Sequence, residues 1–145
     1  MSHVRRFKDF GWENVPVLAY KEGGPYRSVT RQVLFEGQET LPVQWRYFEV
    51  APGGHSTLER HEHLHYVLVL RGRGRCMVAG EVSDIDEHDL VEVPSLAWHQ
   101  FRASEDAPLG FLCLVAAERD KPQLPTAQDI KMLCQERSVA DFIRA

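Results

Sequence analysis

Cysteine is scarce in this 145-residue sequence: Cys76, Cys113 and Cys134 lie far apart and show no CxxC spacing. That excludes a disulfide framework and a thiolate zinc site, and makes a reducing compartment the expectation. Long apolar runs are missing as well. The longest, residues 109–117, is nine residues including Gly110, against about 20 needed for a helix to span a bilayer. The opening stretch MSHVRRFKDF has no apolar signal core, so a soluble, cytoplasmic protein with no membrane partner is expected. Nor is there an excess of positive charge. The 17 basic and 21 acidic residues leave a formal net charge of -4, which argues against nucleic acid as a partner, because such binders carry a basic excess or stripe. With 43% hydrophobic and 26% charged residues, disorder, collagen and coiled coil are excluded too, and the length fits one domain.

What is present is a series of short β-rich runs separated by glycine and proline, the pattern of an all-β sandwich or barrel. Strands are expected over 15–20, 29–35, 43–50, 58–63, 66–71, 74–79, 90–93, 98–102 and 110–116. Turn residues cluster at 23–25, 36–38, 52–54, 71–74 and 106–108, where glycine supplies positive φ and proline a fixed one. After Pro122 and Pro125 the character changes. Thr126 is placed to cap a helix over 127–135, and Ser138 to cap a shorter turn over 139–144. A helix of that length buries one face, so this appendage is expected to pack on the barrel exterior or on a second subunit.

Histidine is distributed unevenly: four of seven, His55, His61, His63 and His65, fall within eleven residues. In a strand, side chains at i and i+2 share a face, so Glu59, His61, His63 and His65 can point inward while Arg60, Glu62 and Leu64 point outward. A bend between His61 and His65 would let two adjacent strands share one metal, with His99 closing the site from a separate run. His3 and His55 are expected in solvent, His88 in a turn beside Asp89, and Trp98, Phe101 and Cys113 in the core, the last as an inert apolar residue.

Gly53, Glu59, His61, His65 and Gly72, followed by Pro94 and His99, stand at intervals that resemble the two motifs of the cupin superfamily. Glu59 takes the place of the family's first histidine and His65 that of its glutamate. Leu96 replaces a usual glycine, and Ala103 stands where asparagine is common. The resemblance implies a single-domain double-stranded β-helix, that is, a jelly-roll barrel, with a short C-terminal helical appendage. Residues 1–50 would supply N-terminal strands and contribute to a homodimer interface, 51–117 the barrel core with both motifs, and 118–145 the helical segment. It also implies a metal ligand set of Glu59, His61, His65 and His99, which keeps the family's inventory of three imidazoles and one carboxylate. His63 shares the inward face without a place in the pattern, and is expected to support a ligand or shuttle a proton.

Three imidazoles and a carboxylate suit one divalent transition metal per chain, Fe, Mn, Ni, Cu or Zn, over the all-oxygen shells of Ca or Mg. A site charge of about +1 favours a small anionic or chelating organic ligand. The expected activity is that of a metal-dependent oxygenase, isomerase or lyase, with a non-enzymatic binding or sensing module as the alternative. A third reading is that residues 61–65 spell HExxH, the helical zinc-peptidase motif with Glu62 as base. Against it, the apolar run 66–70 with two valines reads as a buried strand.

Overall fold

A computed structural model describes residues 2–145 as ten strands and two short helices. In chain order these are β1 (Phe7–Lys8), β2 (Gly11–Trp12), β3 (Leu18–Ala19), β4 (Arg27–Phe35), β5 (Val43–His55), β6 (His65–Val78), β7 (Glu81–Asp86), β8 (Leu90–Val93), β9 (His99–Ala103), β10 (Leu109–Ala116), α1 (Ala127–Leu133) and α2 (Arg137–Phe142). One sheet runs β10-β6-β9-β5-β4-β3, with β7 and β8 pairing along β6. Because β10 pairs with both β5 and β6, and β9 likewise, the circuit β5-β10-β6-β9 closes into a barrel. This is the all-β double-stranded β-helix expected from the sequence.

Antiparallel partners face the same side of a sheet, as do residues i and i+2. Phe111 stands opposite both Phe48 and Val69, and Cys113 opposite both Arg46 and Val67. These positions therefore line the barrel interior, and Phe48, Val67, Val69, Phe111 and Cys113 bury there with Val29, Val93 and Phe101. The intervening Tyr47 points outward yet is fully buried, because Phe10 of the N-terminal segment stacks on it at 6.1 Å and Trp12 packs edge-on at 5.3 Å.

The sequence expectation of a turn at 71–74 is corrected by the structure: β6 continues through it. Gly72, at φ +70°, has the carbonyl oxygen of Pro108 where a Cβ would stand, only 1.8 Å away. Its left-handed backbone is accommodated within the strand, which stays in register there and bulges nearby, where Leu70 is left without a partner on β10. Residues 52–54 likewise lie within β5 and form no turn between strands. Residues 58–63 do not form the expected strand, since only Glu59 and Arg60 make isolated bridges, to His99 and Gln123. The expected strand 15–20 shrinks to β3, and β1, β2 and β7 were not expected at all; β7 reads EVSDID, whose acidic residues masked its pattern.

The helical appendage packs on the barrel exterior. Val139, Phe142 and Ile143 form a second core with Leu58 and Met77, joined by Trp98, Ile130 and Leu133. Thr126 caps α1 through a reciprocal capping box with Asp129, whereas Ser138 lies inside α2, whose N-cap is Glu136. The Gln100 side chain ties the tail to β9, donating to the carbonyl of Arg144 at 2.7 Å and accepting from its amide at 2.9 Å. Among the described residues no helix is long and apolar enough to cross a membrane.

Candidate metal centre

Three imidazoles converge in the barrel. His61, His65 and His99 each offer a ring nitrogen within 4.8 Å of the others. His61 precedes a bend, His65 opens β6 and His99 opens β9, so the bend between His61 and His65 turns two imidazoles close in sequence toward one point. The backbone of residues 61–65 is not helical, which removes the geometry the HExxH reading requires, and Glu62 is exposed.

The rings are oriented by hydrogen bonds at their far nitrogens. His61 Nδ1 donates to the carbonyl of His63 at 2.6 Å, and His99 Nδ1 to that of Ala97 at 2.9 Å. Each ring therefore carries its proton on Nδ1 and presents the Nε2 lone pair inward, as metal-binding histidines do. His65 Nε2 lies 2.8 Å from His61 Nε2. Two ligands at right angles about an ion some 2.0–2.1 Å away would stand roughly 3 Å apart, so the donor set fits a transition metal. Burial lowers the pKa of all three histidines, that of His61 to about 4, with the charge of His99 adding to the effect on His61 and His65. They are neutral, and hence able to ligate, at neutral pH.

Glu59 is buried at the edge of this group, with Oε2 3.9 Å from His61 Nε2. Its Oε1 accepts from Lys21 Nζ at 2.5 Å and from the Tyr20 hydroxyl at 3.5 Å. Burial, followed by the Glu59 charge, pushes the Tyr20 phenol well above its ordinary pKa. His63 stands outside the three-histidine group. It stacks on His61 with ring centroids 3.7 Å apart, and its Nδ1 is 2.7 Å from Asp120 Oδ1. Asp120 also accepts from the amides of Glu62 and His63 at 2.8 and 3.0 Å, and these bonds hold its carboxyl far below the usual range.

The four histidines, Glu59, Tyr20, Lys21 and Asp120 border one cavity of about 410 Å³. Cys113 lies in the buried core, as the sequence leads one to expect, and also borders this cavity. Its Sγ lies 3.2 Å from His65 Nδ1 and 3.6 Å from Arg46 Nη2. Burial pushes this thiol up, and Arg46 works against that. His55 is half-buried beside the carbonyl of Ser56 and not in solvent as expected, whereas His88 does occupy a turn, at φ +75°, and His3 is exposed. The roles of Asp120, Lys21 and Arg46 had no sequence signal, because none belongs to a motif and each reaches the site from a different part of the chain.

A sequence model of the cupin domain family matches residues 46–115. A protein of Rhodospirillum rubrum named 1-methylthio-D-xylulose 5-phosphate methylsulfurylase is 58% identical over 136 residues, which cover 92% of this chain and 86% of that one. Among solved structures, a cupin 2 conserved barrel domain protein from Rhodopseudomonas palustris superposes with a TM-score of 0.92 at 48% identity, covering 98% of this chain and 99% of the other. A cupin-2 domain from Rhodospirillum rubrum gives 0.87 at 57% identity, with coverage of 93% and 91%. Barrel closure, the paired histidine motifs and these likenesses agree: the chain belongs to the cupin family.

Proposed function

We propose that this protein removes the methylthio group from a 1-methylthio-2-ketose 5-phosphate, the substrate class in the name of its Rhodospirillum rubrum relative. The observation that carries the reading is Cys113, a thiol that opens into the same cavity as the three-histidine group. In such a substrate the methylthio carbon adjoins a ketone. His61, His65 and His99 would hold a divalent ion, with Glu59 as the further ligand that the motif implies, and the ion would supply Lewis acidity toward that carbonyl.

The chain's own residues then account for the sulfur chemistry. The Cys113 thiolate attacks the methylthio sulfur, an S–S bond forms and the bond from sulfur to carbon 1 breaks. Its electron pair passes into the adjacent carbonyl as the enolate, and carbon 1 takes up a proton. His63, oriented by Asp120 and lining the cavity, is the candidate carrier of that proton. The products are a 1-deoxyketose phosphate and a methyl disulfide on Cys113, which an external small thiol reduces. His65, when held through Nε2, keeps its proton on Nδ1 and donates to the sulfur, while Arg46 sets a positive charge beside it.

This reaction was not among the classes expected from the sequence; it uses the thiol and the anionic ligand preference together, whereas an oxygenase leaves Cys113 without a task. The homodimer implied by the family resemblance stays a proposal, tested by light scattering of the purified chain.

The test is to incubate metal-loaded protein with 1-methylthio-D-xylulose 5-phosphate and follow both ketose product and intact protein mass. Without added thiol the protein should gain one methylthio group, and Cys113→Ser should abolish that gain while keeping its metal. Binding with neither modification nor turnover would replace this reading with the binding module.

A further inference from the structure

Although the chain is net negative, its cavity gathers Arg31, Arg46 and Arg119. The register explains how. Arg31 on β4 stands opposite Phe48 on β5, an inward position, and Arg46 lies two residues before Phe48 on the same strand. Arg119 enters from the segment after β10. Each guanidinium is only partly engaged: Arg31 Nε donates to the Ala19 carbonyl at 3.2 Å, Arg119 Nη1 to Gln44 Oε1 and the Ala116 carbonyl at 3.2 and 3.0 Å, and Arg46 Nη2 to the Cys113 sulfur. Arg46 Nε is buried without a partner.

Among the described residues none of the three forms an ion pair. The two carboxylates on the cavity wall are already committed, Glu59 to Lys21 and Asp120 to His63 and two amides. Burial, followed by the charge of Arg46 and, less, that of Arg31, holds Arg119 below its ordinary pKa. Like charges gathered in a cleft with a buried, unsatisfied N–H are costly unless an anion joins them, and guanidinium forks match phosphate oxygens in geometry.

We infer that Arg31, Arg46 and Arg119 form a subsite for the phosphate monoester of a small sugar, which anchors the substrate's far end while its carbonyl faces the histidines. The choice of a sugar phosphate rests on the function proposed above; the anion site rests on the arginines themselves.

The test uses D-xylulose 5-phosphate, which lacks the methylthio group and cannot react, and D-xylulose as its phosphate-free counterpart, titrated by calorimetry into metal-loaded protein. The ester should bind at least about tenfold tighter than the sugar, the effect of one or more charge-assisted hydrogen bonds. Arg31→Gln and Arg119→Gln, both away from the Cys113 contact, should each weaken ester binding by about tenfold and leave sugar binding unchanged. Unchanged thermal midpoints would show that both variants fold. Equal affinity for ester and sugar, or ester binding indifferent to both substitutions, would overturn the subsite. Arginine-dependent ester binding without methylthio transfer would uphold the subsite and refute the reaction. Equal transfer rates on phosphorylated and unphosphorylated substrate would do the opposite.

Discussion

The amide of Leu96 donates to the carbonyl of His61 at 2.7 Å, joining the turn before His99 to the histidine of the first motif. Leu96 makes this bond at φ +61°, a left-handed conformation costing a β-carbon-bearing residue about 1–2 kcal/mol, part of which glycine returns as chain entropy in the unfolded state. Leu96 is exposed, so little packing is lost on its removal. Leu96→Gly should raise stability by about 0.5–1 kcal/mol with metal content unchanged. A urea midpoint below that of the parent protein would refute this.

Metal content tests the proposed ligands against their neighbours. His99→Ala should lose most of its ion when purified alongside the parent without chelator, and Glu59→Ala should bind more weakly, as measured by elemental mass spectrometry. Glu62→Ala should keep both metal and activity, since that side chain is exposed and outside the site. Full metal in His99→Ala would dismiss the three-histidine site.

Asp120 holds His63 and the bend between His61 and His65 by three hydrogen bonds. Supporting residues of this kind typically contribute 10–100-fold to metal affinity or activity. Asp120→Ala should therefore lower metal affinity by about tenfold, read by competition with a chromophoric chelator. An unchanged affinity would confine Asp120 to folding.

Acid should destabilise the metal-free protein. The pKa of His61 falls from 6.5 to about 4 on folding, and His65 and His99 move in the same direction. Between those values the unfolded chain binds a proton that the folded one does not, so the contribution is fully present above 6.5 and is lost as pH falls toward 4. For His61 this amounts to about 3 kcal/mol. Urea midpoints that stay level from about pH 7.5 to about pH 5 would contradict it.

Phe142 is fully buried between α2 and the barrel. Phe142→Ala should cost about 3–5 kcal/mol, seen as a lower denaturant midpoint. A loss below 1 kcal/mol would mean that the appendage barely adheres.

Much of this was legible in the sequence. Alternating strands from Val29 to Ala116 follow from period-two burial, and the i, i+2, i+4 spacing of His61, His63 and His65 pointed to one face. The strand expected over 58–63 failed because a shared face can also be reached through a bend, which spacing alone does not distinguish. Cys113 shows the converse limit. Its parity with Phe111 and Val115 gives an inward direction, but whether inward means packed core or open cavity depends on what stands opposite. Arg46 occupies that place, from a strand far away in sequence. Asp120 and Lys21 were out of reach for the same reason.

The closing strand also governs how the molecule is assembled. β10 pairs along six or more residues of both β5 and β6, with Leu109 opposite both Val50 and Gly72. Until it docks, those two strands present unpaired edges and the barrel is an open sheet prone to associate. Docking requires pairing across a long stretch of chain, the type of non-local contact that slows folding to milliseconds or seconds. The same event brings in Cys113, so the thiol reaches the histidines only when the barrel shuts.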